Sequence, residues 1–163
     1  MSCPSSAAST CVVSEMTPDK KQLIFAAWDS QNGKGRELAR VRDEHADNLR
    51  WDLSPDGSRI ALSDGYDSFR LLSLNHEPVR RLGLRGAHLR SWTWAADGKG
   101  LFASKAVQQG SQLTYIDLRG NSHTLWEVKG QEVLLLAAPA PDGRHLALAA
   151  SGDSVNLWMM EDF

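Results

Sequence analysis

One short unit recurs four times along the chain: a turn built around aspartate, followed at once by a clipped apolar run. It is written Thr17-Pro18-Asp19-Lys20 before Leu23-Ile24-Phe25, Ser54-Pro55-Asp56-Gly57 before Ile60-Ala61-Leu62, Ala95-Ala96-Asp97-Gly98 before Leu101-Phe102-Ala103, and Ala140-Pro141-Asp142-Gly143 before Leu146-Ala147-Leu148. The turn aspartates stand 37, 41 and 45 residues apart. Proline presets φ at the first central turn position, aspartate can accept a hydrogen bond from a downstream amide, and glycine tolerates the positive φ that closes a hairpin. Each unit therefore reads as a hairpin tip, and the repeat constrains the fold more than any other feature of the chain.

Strand-type stretches flank every tip. Cys11-Val12-Val13, Trp51-Asp52-Leu53, Trp92-Thr93-Trp94 and Leu134-Leu135-Leu136 precede the turns, and third strands such as Leu113 to Leu118 follow them. Fourth, outer strands are expected at Arg36 to Val41, Val79 to Leu82 and Thr124 to Val128. A period near 40 with four short strands per repeat is the signature of propeller blades. The expectation is an all-β chain, a β-propeller segment of about four blades of up to four antiparallel strands. The blades run approximately over 11–41, 49–82, 89–128 and 133–163, with 1–10 as an N-terminal extension or closing strand. Three blades read as complete; the last lacks its outer strand, because the chain stops at Phe163.

Many of these strands are apolar on consecutive residues, as expected where neighbouring blades cover both faces of a sheet. The longest run, Val133 to Ala138, is far shorter than the roughly 20 residues a membrane helix needs. Arg36 to His45 is the best helical candidate, and its place in the repeat argues for a strand. With 42% apolar residues among 163 and six tryptophans, the chain can bury a substantial core. Trp51, Trp92, Trp94, Trp126 and Trp158 are the candidate blade-packing or interface residues. A formal net charge of −2 provides no field for nucleic acid or an anionic membrane. Cys3 and Cys11 match no zinc spacing and are either a local disulfide or two free thiols. Met1 to Thr10 carries no signal-peptide pattern.

Trp51 to Ala61 and Ala140 to Ala147 resemble the Ser-Pro-Asp-Gly repeats of TolB-type β-propellers. Cys3 through Cys11, Gly33 to Ala39, Asp97 to Phe102 and the ending Asn156 to Phe163 resemble, more narrowly, the C-terminal propeller halves of acidobacterial-type regulators. In those regulators a serine/threonine kinase or a winged-helix domain precedes the propeller. The resemblance implies a sensory or protein-interaction module, extracytoplasmic if it belongs to a receptor kinase and cytoplasmic otherwise. WD-repeat proteins are related at the level of fold: Trp51-Asp52 opens a first strand, where their dipeptide closes a third.

Catalytic signals are weak. Some TolB-type propellers gate a serine hydrolase, but the chain contains no Gly-x-Ser-x-Gly elbow. The five histidines are scattered through the repeat, and the recurring aspartates serve turns. Asp29 to Gly33 and Asp64 to Asp67 are oxygen-rich but lack the spacing of a calcium loop. The expectation is no enzyme, no metal and no cofactor. The candidate ligand site is the basic stretch before Trp92, with Arg80, Arg81, Arg85, His88 and Arg90 poised for a small anion, glycan or peptide. An open segment of four blades exposes apolar end faces, so a protein partner is expected, or a homodimer in which two copies close a ring.

Overall fold

The computed structural model describes residues 1–4, 10–64, 66–75, 77–84, 88–152 and 155–161, with backbone alone at 155 and 156. The repeating turns set its plan. In all four, the aspartate Oδ1 accepts the amide two residues on: Lys21 for Asp19, Ser58 for Asp56, Lys99 for Asp97 and Arg144 for Asp142, at 2.9 to 3.1 Å. The residue after each aspartate donates its amide to the carbonyl three positions back, at Thr17, Ser54, Ala95 and Ala140. That residue has a positive φ every time: Gly57 +72°, Gly98 +67°, Gly143 +69° and, in the first blade, Lys20 +59°.

Lysine is the one residue of the four that carries a Cβ in this left-handed region, which costs about 1–2 kcal/mol for an L-residue. Its ion pair with Asp47 is exposed and long, 3.4 Å, and contributes little. Lys20→Gly is therefore expected to raise stability by about 1 kcal/mol and the melting temperature by about 2–4 °C in a thermal scan.

Four antiparallel sheets follow in chain order, making a partial β-propeller. The first holds β1 (Cys11–Met16), β2 (Gln22–Asp29) and β3 (Gly33–Arg42); the second β4 (Arg50–Leu53), β5 (Arg59–Ser63), β6 (Ser68–Ser73) and β7 (Arg80–Gly83). The third holds β8 (His88–Trp94), β9 (Gly100–Val107), β10 (Gly110–Asp117) and β11 (Ser122–Lys129); the fourth β12 (Leu134–Pro139), β13 (His145–Ser151) and β14 (Val155–Glu161). Among the described residues the last sheet has three strands and no outer fourth, as the sequence implied. The first sheet departs from expectation. Arg36 to Val41 belongs to its third strand, paired directly with β2, and the sheet is three-stranded. The reason is that Asp29 folds the chain back at once: its Oδ1 accepts the amides of Gln31 and Asn32, and β3 begins at Gly33 opposite Asp29. A short 3-10 turn at Ala46–Asn48 then leads straight into the second sheet.

The chain divides into two compact units, 1–64 with 69–81 and 65–68 with 82–163. In the first, Val12, Leu23, Phe25 and Val41 of the first blade pack with Leu53, Ile60, Leu62 and Leu72 of the second. Trp51 stands edge-on to Phe25, with ring centroids 5.1 Å apart, and its Nε1 donates to Ser14 Oγ at 2.9 Å. Cys3 and Cys11 form a disulfide that ties Ser2 alongside β1, where Ser2 and Val12 exchange both backbone hydrogen bonds. In the second unit, Phe102 and Leu113 of the third blade pack with Val133, Leu135, Leu146 and Leu148 of the fourth. Two serines join those blades: Ser111 Oγ donates to the Val133 carbonyl and accepts its amide, and Ser91 Oγ donates to the Leu135 carbonyl.

Candidate functional site: the two faces of the fourth blade

Strand burial differs between blades in a way that singles out the fourth. Ile60, Ala61, Leu62 and Ser63 on β5, and Gly100 to Ser104 on β9, are buried residue after residue. The fourth blade has the same consecutive apolar sequence but alternates: Leu135, Leu146 and Leu148 are buried, while Leu134 and Leu136 are exposed. Register places the exposed residues on one face. Leu136 pairs with Ala149 and Ala149 with Leu157, Ala138 with Ala147 and Ala147 with Met159. Leu134, Leu136, Leu157 and Met159 keep 41, 47, 75 and 68% of their surface in contact with solvent. Among its described residues this outward face is apolar from Leu134 to Met159, with His145 and Glu161 paired at its turn end.

The outward face of the first blade is different in kind. Glu15 and Lys34 form an ion pair there, and the Arg40 guanidinium is shared between Glu37 and Gln22. Apart from Trp28, exposed beside Lys34, that face is dressed with paired charges; the fourth blade's outward face is mainly apolar.

The inward side of the fourth blade borders a cavity of about 480 Å³, lined by Ala95, Asp97, Phe102, Tyr115, His123, Leu125, Asp142 and their neighbours. Its wall is an aromatic row across three strands. Tyr115 pairs in register with Phe102 on one side and His123 on the other, with ring centroids 5.4 Å apart in both directions. The Tyr115 ring lies over Gly100, where a Cβ would come within 2.5 Å of the phenol. Burial, helped by the carboxylates of Asp97 and Asp117, pushes the Tyr115 phenol above its ordinary value. The rim is formed by the repeating turns of both blades, which bring Asp97 and Asp142 to the same opening.

The basic stretch takes up other positions. Arg80 and Arg81 lie exposed on β7, and Arg85 falls outside the described residues. His88 and Arg90 are exposed on β8: the His88 ring is 6.5 Å from Tyr66, and the Arg90 guanidinium is ion-paired with Glu132. Trp94 is buried and Trp92 half-buried. Trp126 and Trp158 meet edge-on at 4.9 Å between the outermost strands of the third and fourth blades. The aromatic row escaped the sequence reading, since only strand register brings Phe102, Tyr115 and His123 together.

No protein-family model and no curated protein sequence matches the chain. Solved structures do. A prolyl endopeptidase structure aligns with a TM-score of 0.65 at 14% identity, over 92% of this chain and 26% of that one. The putative TolB of Agrobacterium tumefaciens aligns at 0.60 and 20% identity, over 93% and 58%. The Cps50 (Swd1) β-propeller domain of Myceliophteria thermophila aligns at 0.54 and 17% identity, over 88% and 50%. The fold is a β-propeller fold, TolB-like and WD-repeat-like. The chain spans between about a quarter and three-fifths of the length of these structures.

Proposed function

We propose that the chain is a non-catalytic protein-interaction propeller module that self-associates through the outward face of its fourth blade, in the manner of a sensory module in a bacterial regulatory protein. The observation that carries this reading is the apolar face of Leu134, Leu136, Leu157 and Met159, exposed on strands whose sequence is that of doubly covered strands. A second copy related by a twofold axis presents the same face, so apolar surface meets apolar surface without further design. Closing a ring through the first blade's outward face would instead press these side chains against the Glu15–Lys34 and Glu37–Arg40 pairs and strip those charges of water. The turn aspartates support a structural role, since each holds a backbone amide with its carboxylate.

Light scattering on a size-exclusion column, over a tenfold range of loading, tests the reading. The wild-type mass is expected to climb from 17.9 kDa towards twice that value, and Leu157→Lys/Met159→Lys to remain at 17.9 kDa. Leu136→Lys probes the same face from β12 and should behave like the double variant. A wild-type mass that stays at one subunit throughout, or lysine variants that still dimerise, would overturn it.

A further inference from the structure

We propose that the cavity between the third and fourth blades is a binding site for a guanidinium group, presented on an arginine side chain of a partner protein. Three independent features of the cavity fit this ligand. The first is the wall: Tyr115 and His123, backed by the fully buried Phe102, present adjoining rings on which a planar guanidinium stacks. The second is the rim, where Asp97 and Asp142 from two separate turns open onto the same space. A guanidinium offers five fixed donors and is suited to reach carboxylates while its plane rests on a ring. The third is size, since about 480 Å³ admits a long side chain and its neighbouring backbone.

Of the rim carboxylates, Asp97 offers the more open oxygen: its Oδ1 accepts the Lys99 amide, and its Oδ2 has, among the described residues, only a long contact. Asp142 is engaged by the Arg144 amide at Oδ1 and by the His145 imidazole at Oδ2, 2.9 Å each. Lys99 approaches Asp97 only to 3.9 Å, with its own side chain 80% exposed. Burial chiefly, and the Asp97 and Asp117 carboxylates in addition, keep the Tyr115 phenol neutral beside the rim. The two turns come together at this rim: a Cβ on Gly143 would lie 3.9 Å from that of Ala96. The site therefore exists because two repeats stand side by side, and neither turn makes it alone.

The test is a titration of the purified chain followed by amide NMR shifts, using a blocked Gly-Arg-Gly peptide, the same peptide with citrulline in place of arginine, and free L-arginine. Citrulline has the shape of arginine without its charge. The arginine peptide is expected to shift the amides of Ala96, Asp97, His123 and Gly143 with a dissociation constant on the order of 1 mM, as suits a single side chain. The citrulline peptide should bind at least tenfold more weakly. Asp97→Asn/Asp142→Asn keeps the acceptor oxygen each turn needs and should lose at least tenfold in affinity for the arginine peptide with the rest of its spectrum unchanged. Equal binding of the two peptides to the wild-type chain overturns the proposal without recourse to any variant. Arginine-peptide shifts that map elsewhere also overturn it, and free arginine that binds more tightly than the blocked peptide overturns the assignment to a partner's side chain.

Discussion

Gly110→Ala is expected to cost roughly 4 kcal/mol or more and to lower the urea midpoint by about 1–2 M, a large part of the 5–15 kcal/mol that a domain possesses. Gly110 opens β10 at φ +143°, a region that side chains rarely adopt. A Cβ there would lie 1.9 Å from the Val128 carbonyl oxygen and 3.3 Å from the Lys129 Cα. Both obstacles are backbone, on the strand paired with β10, so no rotamer change can make room. Relief requires β11 to separate from β10 at the register pair Gly110–Lys129, which would disturb the seat of Leu125, Trp126 and Val128 on the core of the third and fourth blades. Gly83→Ala supplies the control. Its Cβ would meet nothing within 4 Å, and it should change stability by less than about 0.5 kcal/mol. An alanine at 110 with a wild-type midpoint would show that the β9–β10 hairpin has another shape.

Phe25→Ala should cost about 3–5 kcal/mol, measured by denaturant unfolding. The ring is fully buried among Val12, Leu53, Ile60 and Leu62 and is the edge-on partner of Trp51. Removing it leaves a cavity between two sheets, each pinned by its own backbone ladder, and such sheets collapse poorly into a void. Trp51 reports the same event: its indole loses an aromatic neighbour while its nitrogen remains tied to Ser14. Phe25→Leu, which retains most of the volume, should lose less than half as much. Equal losses for both variants would mean that shape at this position matters less than the packing indicates.

The sequence carried the turns in full because turn chemistry is local. Proline, aspartate and glycine act within four residues, and all four aspartates make the amide bond that their position implies. The outer strand expected in the first blade failed for a related reason. Arg36, Glu37, Arg40 and Arg42 have the polar look of an outer strand, and β3 is indeed at an edge, but as the third strand of a shorter sheet. Charge reports exposure, not strand order. Cys3 and Cys11 could be read either way until Ser2 was placed beside Val12. The aromatic row was illegible because the register around it includes a bulge between Leu113 and Thr114, which shifts the alignment of Tyr115 with His123 by one residue.

The fourth blade's last strand has a consequence for how order and association are linked. Among the described residues β14 pairs with β13 alone, and Leu157 and Met159 are largely exposed. A strand with one ladder, anchored inward by Trp158 and Met160 but bare on its outward face, is among the first parts of a sheet to fray. It is also the strand that supplies half of the apolar face. Any sheet that covers this face also clamps the fraying strand, so the blade's local order rises with the concentration of whatever covers it. Under the self-association proposed above, association and the completion of folding would be a single event at this edge of the molecule.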